Sequence, residues 1–473
     1  MPRSSRAPKS PWTVARQTCT DCGRARSMAK NYDRSDLLEM VCAEVDRHAS
    51  WIQEISERIM RNPEPGFREW RTAEYVAQQF AAIGLSYRTG LARTGVKARL
   101  RGNGDGPTVA ILGELDSLIV PGHPFADPET NAAHACGHHA QIASMLGAGR
   151  ALQAVIQHLD GDVVLFAVPA EECIEIGWRR QLIDDGEIEF LTGKSELIRL
   201  GEFDDIDMAM LTHTESGGNA LGSVGDTHNG AVIKYVTFTG KSAHAGARPW
   251  MGINALKTAM HALTAIDAQS ETLPDDWRVR IHSVMTRGGD VLTAVPAEAT
   301  AEIMIRGATF EALTRGCELV DRCLRGAATS FGARIEVETM GAFMPLTQED
   351  RLTEIVARGI REVVGAEAMG APRHRTGSTD LGDLSLVMPV SHPRCAGAQG
   401  SSHGSDYVVD DHGLAAVLPA KWMARSVVEL LADGAGEAHD VIRASGQRLS
   451  RDEYVNRRRT FQHVQNYGDL SES

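Results

Sequence analysis

Four separated stretches of the chain carry side chains of the kind that bind divalent metals. The densest is His134-Ala-Cys-Gly-His-His139, which follows an apolar stretch and opens a helical one. Thiolate and imidazole are preferred ligands of zinc-like ions, and Gly137 lets the backbone turn so that Cys136 and His138 face one point. A lone histidine is usually structural, but four polar groups in six residues are harder to dismiss. The second stretch is Pro169-Ala-Glu-Glu172, directly after the apolar run 162–168. Adjacent carboxylates at the end of a buried strand repel each other, and burying them is costly without cations. A pair of metal ions supplies those cations, so that one carboxylate can ligate while its neighbour handles protons. Thr212-His213-Thr214 and Gly400-Ser-Ser-His403-Gly404 are weaker signals, since a loop histidine is more often a surface residue than a ligand. Two divalent ions held at such a cluster lower the pKa of bound water towards ~7, which is the chemistry of hydrolysis.

Elements with a recognisable pattern must hold these stretches. Helical spacing runs through 35–60 (Leu37, Leu38, Val41, Val45, Ile52, Ile55), then 71–83 and 138–157. Strand-like runs cover 96–100, 108–112, 162–168 and 208–212. Strands alternating with helices imply an α/β domain with a largely parallel sheet, which places ligands at the carboxyl ends of its strands. From residue 228 the rhythm changes to strand 231–240, helix 251–268, strands 277–287 and 297–306, helix 309–330 and strand 333–340. This β-α-β-β-α-β order is ferredoxin-like and reads as an inserted α+β sandwich, a lid or dimerisation domain. The expected organisation is a disordered leader over 1–30, the catalytic domain over 31–227, the inserted domain over 228–343, and the rest of the catalytic domain with a polar, mobile tail over 344–473. The acidic stretch 175–203 is long for one connection and reads as a loop near the site.

At 473 residues, two domains are the default expectation. A formal charge of −13 disfavours a protein that tracks nucleic-acid phosphates. No apolar run approaches the ~20 residues that span a bilayer, and the N-terminus lacks the apolar core of a secretory signal, so the chain reads as cytoplasmic. Eight scattered cysteines are no disulfide framework, and the Cys19/Cys22 pair lacks the second pair a structural zinc site needs.

The chain resembles the dinuclear metallopeptidases and amidohydrolases that include aminoacylase, glutamate carboxypeptidase, auxin-conjugate hydrolase and p-aminobenzoyl-glutamate hydrolase. The likeness covers about residues 35–430. It rests on Asn62-Pro-Glu-Pro-Gly-Phe-Arg-Glu69 with Thr72, Gly113-Glu-Leu-Asp-Ser-Leu118, Cys136-Gly-His138, Pro169-Ala-Glu-Glu172, and Gly240-Lys-Ser-Ala-His-Ala245 with Pro249. Ser378-Thr-Asp-Leu-Gly-Asp383 and His403 resemble the branch that holds the second of the p-aminobenzoyl-glutamate hydrolase subunits. The resemblance implies two divalent ions per subunit, Mn2+ or Zn2+. It implies that Cys136 bridges both, that Glu172 and His403 complete one, and that His138 and His213 complete the other. It further implies Asp116 as an orienting group, Glu171 as general base, and His244 reaching from the inserted domain, in a homodimer into the partner's site, to steady an oxyanion. Arg306 and Arg248 are candidates for a substrate carboxylate. His139, Gln141 and Thr293 stand where the family has Asp or Asn, His, and Asn; these changes leave the metals in place but bear on the substrate. The leading expectation is hydrolysis of the amide in an N-acyl or N-aroyl amino acid, a small anionic substrate. One alternative is hydrolytic deamination of an activated aromatic amine such as a nitroanthranilate. Another is an inactive metal-binding or scaffold protein, against which an intact Glu171 argues.

Overall fold

The computed structural model describes residues 32–470; the leader expected over 1–30, with Cys19 and Cys22, lies outside them. Among the described residues no helix is long and apolar enough to cross a membrane.

A mixed α/β core is built on a six-stranded sheet in the order Tyr87–Leu91, Gly95–Leu100, Asp162–Val168, Thr108–Glu114, Met208–Met210, Val390–Ser391. The last four are mutually parallel, and the first two form an antiparallel edge. Every residue of Thr108–Glu114 and of Asp162–Val168 is buried, as continuous apolar runs in a sheet covered on both faces require. The helix His138–Gln153 is buried almost all round and packs between this sheet and the helices Arg34–Arg47, Ala49–Met60 and Leu418–Leu431. The helical run expected over 35–60 is two helices, because the chain breaks at His48 (φ −106°, ψ 12°).

Residues 230–343 build a second sheet, antiparallel throughout, in the order Arg280–Arg287, Glu298–Gly307, Gly230–Thr239, Arg334–Phe343, His463–Tyr467. The helices Ala255–Ser270 and Phe310–Phe331 bury their apolar stripes against it. The fifth strand comes from the C-terminus, where the sequence reads as a mobile tail. A capping box between Ser450 and Glu453 starts the helix Arg451–Arg459, which buries Tyr454, Val455 and Arg458. Arg458 donates to the carbonyls of Gly341 and Ala342, and Tyr454 donates to Asp383. The strand that follows adds itself by backbone pairing, with Tyr467 opposite Ile335.

The acidic stretch 175–203 also differs from its expectation as a loop. It holds the helices Ile176–Asp184 and Gly193–Arg199. Arg180, on the first of these, donates to Glu338 at 2.6 Å and lies 4.1 Å from the centre of the Tyr235 ring, both on the second sheet.

Candidate metal centre

Three neighbouring parallel strands end at one edge of the core sheet, and the motif residues follow directly. Thr108–Glu114 leads to Asp116, Asp162–Val168 leads to Glu171 and Glu172, and Met208–Met210 leads to His213. Cys136 and His138 arrive from the start of the buried helix. Gly137 has φ 85°, and a Cβ there would stand 2.8 Å from the Tyr407 hydroxyl and 2.9 Å from Thr214 Cβ, so only glycine fits. Ala170, with φ 50°, kinks the chain just before the two glutamates. Its N–H donates to Glu69 at 2.8 Å, and Glu69 also accepts from Thr94 at 2.6 Å. Burial, with Asp116 nearby, raises the Glu69 carboxyl to about 7.

The donor atoms converge as two triads that share one thiol. Cys136, His138 and His213 present ligand atoms all within 4.8 Å of one another, and so do Cys136, Glu172 and His403. Cys136 Sγ lies 3.3 Å from His213 Nε2, and His403 Nε2 lies 3.5 Å from Glu172 Oε1. Asp116 sits beneath both triads. Its carbonyl is 3.0 Å from His138 Nδ1, its Oδ1 is 3.3 Å from the same nitrogen, and its Oδ2 accepts from the Glu172 N–H at 2.8 Å. This directs His138 Nε2 towards the cluster.

The cluster has the chemistry of a cation site. His138 Nε2 and Glu172 Oε1 are buried without a hydrogen-bond partner. Burial pulls the His138 pKa down, yet Glu114, Cys136 and Asp116 hold it well above its ordinary value. The surroundings therefore call for positive charge at this point. His213 is pushed well below its ordinary value by burial and by Arg394, which keeps the imidazole neutral, the form that ligates. Burial, then Glu114 and Glu172, raises the Glu171 carboxyl well above the usual range. The residues present fit a pair of divalent ions.

A cleft of about 690 Å³ opens over the cluster. Cys136, Glu171, Glu172, His213 and His403 form one wall; Ile233, Met304 and Arg306 of the second sheet form another. A third wall carries His228, His392, Arg373, Arg375 and Arg394.

Not every candidate comes together. His244 is exposed, receives the N–H groups of Gly246 and Ala247 on its ring, and does not line the cleft. Thr293 is exposed beside it and Arg248 is exposed outside the cleft, whereas Arg306 lines it. His139 is fully buried, packed between His134 and His412 and away from the cleft. Gln141 holds Glu114 from both sides, donating to its carboxylate at 2.9 Å and accepting from its N–H at 3.1 Å.

Three neighbouring residues carry no role in the sequence reading: Glu114, Lys194 and Asp380. Glu114 joins His138 and Glu171 in a further group of ligand atoms within 4.8 Å of one another. Glu114 and Asp380 stand inside quoted motifs, two residues from Asp116 and Ser378; Lys194 has no local signal.

With this geometry in place, the comparisons with known proteins are direct. Residues 110–418 match the model of Peptidase family M20/M25/M40, and the chain belongs to this family. It is 28% identical over 295 residues to the Xaa-Arg dipeptidase of Mus musculus, covering 60% of each chain. It is 32% identical over 262 residues to one of the p-aminobenzoyl-glutamate hydrolase subunits of Escherichia coli, covering 53% of this chain and 56% of that one. The match thus spans under two thirds of the length of either relative. Among solved structures, a dinuclear metal-binding M20 peptidase of Bacillus subtilis superposes with a TM-score of 0.60 at 18% identity, covering 82% of this chain and 99% of that one. That likeness concerns the fold.

Proposed function

We propose that the protein is a dinuclear-metal-dependent hydrolase that cleaves the amide bond of an N-acyl or N-aroyl amino acid. The observation that carries this reading is the pair of ligand triads sharing Cys136, with Glu171 beside them. The names of the dipeptidase and of the aminobenzoyl-glutamate hydrolase agree with it. The ions, Mn2+ or Zn2+, would supply a nucleophilic water at neutral pH and polarise the scissile carbonyl. Cys136 would bridge them, with His138 and His213 on one side and Glu172 and His403 on the other. Asp116 keeps the His138 ring turned for ligation and pins the Glu172 backbone. Glu171 takes the water's proton on its carboxylate and returns it to the leaving nitrogen. Arg306 holds the substrate carboxylate, since it lines the cleft and its Nε is buried without a partner. Residues 230–343 act as a lid over the cleft and as the dimerisation domain.

The exposed position of His244 supports its service in a partner's site. Mixing inactive Glu171→Ala with inactive His244→Ala is expected to rebuild one complete site per heterodimer and recover activity. No recovery once exchange of subunits is confirmed by mass would remove this role.

A second reading keeps the site but attacks an activated aromatic carbon and releases ammonia. It is favoured by the third wall, where His228, Arg394 and their neighbours offer donors away from the metal ligands. Such donors suit charge that spreads across a ring onto a distant acceptor such as a nitro group. Turnover in 18O-water decides between the two, with N-aroyl amino acids and nitroanthranilates as substrates. Label in a new carboxylate is the expected result. Label in a phenolic hydroxyl, with free ammonia, selects the deaminase and leaves the metal centre standing.

A further inference from the structure

Lys194 is fully buried and lies behind the metal cluster. The helix Gly193–Arg199 brings it there, and Gly193 packs backbone to backbone against the turn that carries Glu171. The Gly193 N–H donates to the Ala170 carbonyl at 3.0 Å, and a Cβ at Gly193 would overlap the Pro169 carbonyl at 1.7 Å. The Lys194 N–H donates to Asp380 Oδ2 at 2.9 Å, and its Nζ stands 2.5 Å from Asp380 Oδ1 and 2.5 Å from Glu114 Oε1. The other oxygen of Glu114 is held by Gln141 at 2.9 Å and faces His138 Nε2 at 3.1 Å. A rigid line therefore runs from Asp380 through Lys194 and Glu114 to the ligating nitrogen of His138.

We propose that Lys194 is a positioning residue of the metal centre: clamped by Asp380, its ammonium fixes Glu114 so that one carboxylate oxygen forms an acidic wall at the His138 position. The inference rests on the metal-hydrolase reading above. An isolated buried carboxylate rotates or takes up a proton; one held by an ammonium on one side and an amide on the other stays charged and aimed. The rival explanation is that Lys194 only neutralises Asp380. The two differ in what happens when both charges leave together. The rival expects a Lys194→Met/Asp380→Asn chain to regain what Lys194→Met loses. Positioning expects no recovery, because Glu114 still lacks its clamp.

The test is calorimetric titration of metal-stripped full-length protein with Mn2+ alone, beside thermal unfolding of the stripped form. Lys194→Met should weaken Mn2+ binding about 10–100-fold, the usual effect of losing a group that orients ligands, and the double variant should stay equally weak. If Lys194→Met does not fold, Glu114→Gln replaces it, since it keeps the volume and removes the charged wall; the same loss is expected. Wild-type affinity in Lys194→Met or in Glu114→Gln, or recovery in the double variant, overturns the proposal. A wild-type chain that binds no Mn2+ overturns the metal-centre reading itself, an outcome distinct from wild-type binding that the variants leave unchanged.

Discussion

Glu171→Gln is expected to lower turnover about 10²–10⁴-fold while metal content stays at the wild-type level, a loss that matches removal of proton transfer alone. The amide keeps the shape and polarity of the side chain but can neither take the water's proton nor return it. Glu171 is suited to that work by its place. Its carboxyl is buried in the wall of the cleft, and burial with the Glu114 and Glu172 carboxylates raises its pKa well above the usual range. Cations bound beside it act in the opposite direction, so the group can both accept and release a proton near neutral pH. Glu172→Gln is expected to fail differently. Glu172 Oε1 faces His403 in the triad with Cys136 and is otherwise unpartnered, so its loss should remove metal, with activity following. Metal analysis and turnover on the two purified variants separate these outcomes. Metal loss in Glu171→Gln with full metal in Glu172→Gln would reverse the two roles.

The parts of this site that could be read from the sequence are local ones. Strands buried on both faces print themselves as unbroken apolar runs, so 108–112 and 162–168 are visible, and with them the sheet edge that carries Asp116, Glu171 and Glu172. Cys136-Gly-His138 is visible because glycine between two ligands has a stereochemical reason. The residues that escape notice act at long range. Lys194 looks like any surface lysine until the fold sets it between Glu114, 80 positions away, and Asp380, 186 positions away. Gln141 stands where a histidine is common in the family, and its role as the second clamp on Glu114 appears only when the helix lies against the strand. His463–Tyr467 escapes for another reason. Its burial pattern shows no buried face, so backbone pairing with Arg334–Phe343 leaves no apolar alternation to detect. The stretch 175–203 is acidic and interrupted, yet Ile176, Leu182, Leu197 and Ile198 anchor its two helices in cores that the strands supply.

Removal of metal by a chelator is expected to abolish activity, and added divalent ion to restore it, with close to two ions per chain in the purified protein. The charge balance of the cluster argues for this. Glu114, Asp116, Glu171, Glu172 and Asp380 are all buried, and Lys194 is the lysine buried among them. Like-charged carboxylates this close remain ionised only if cations lie between them; otherwise they take up protons and the site loses its base. Two divalent ions satisfy the His138 and Glu172 atoms that lack hydrogen-bond partners, and they account for a thiol shared by both triads. Ions that bind the folded chain alone also stabilise it, by about 2.7 kcal/mol at a free concentration one hundred times the dissociation constant. Chelation should therefore lower the unfolding temperature along with the rate, and both should recover together as Mn2+ or Zn2+ is titrated back. Full turnover by chelator-stripped protein would mean that Glu171 acts without them, and the shared-thiol geometry would then have to be explained as packing.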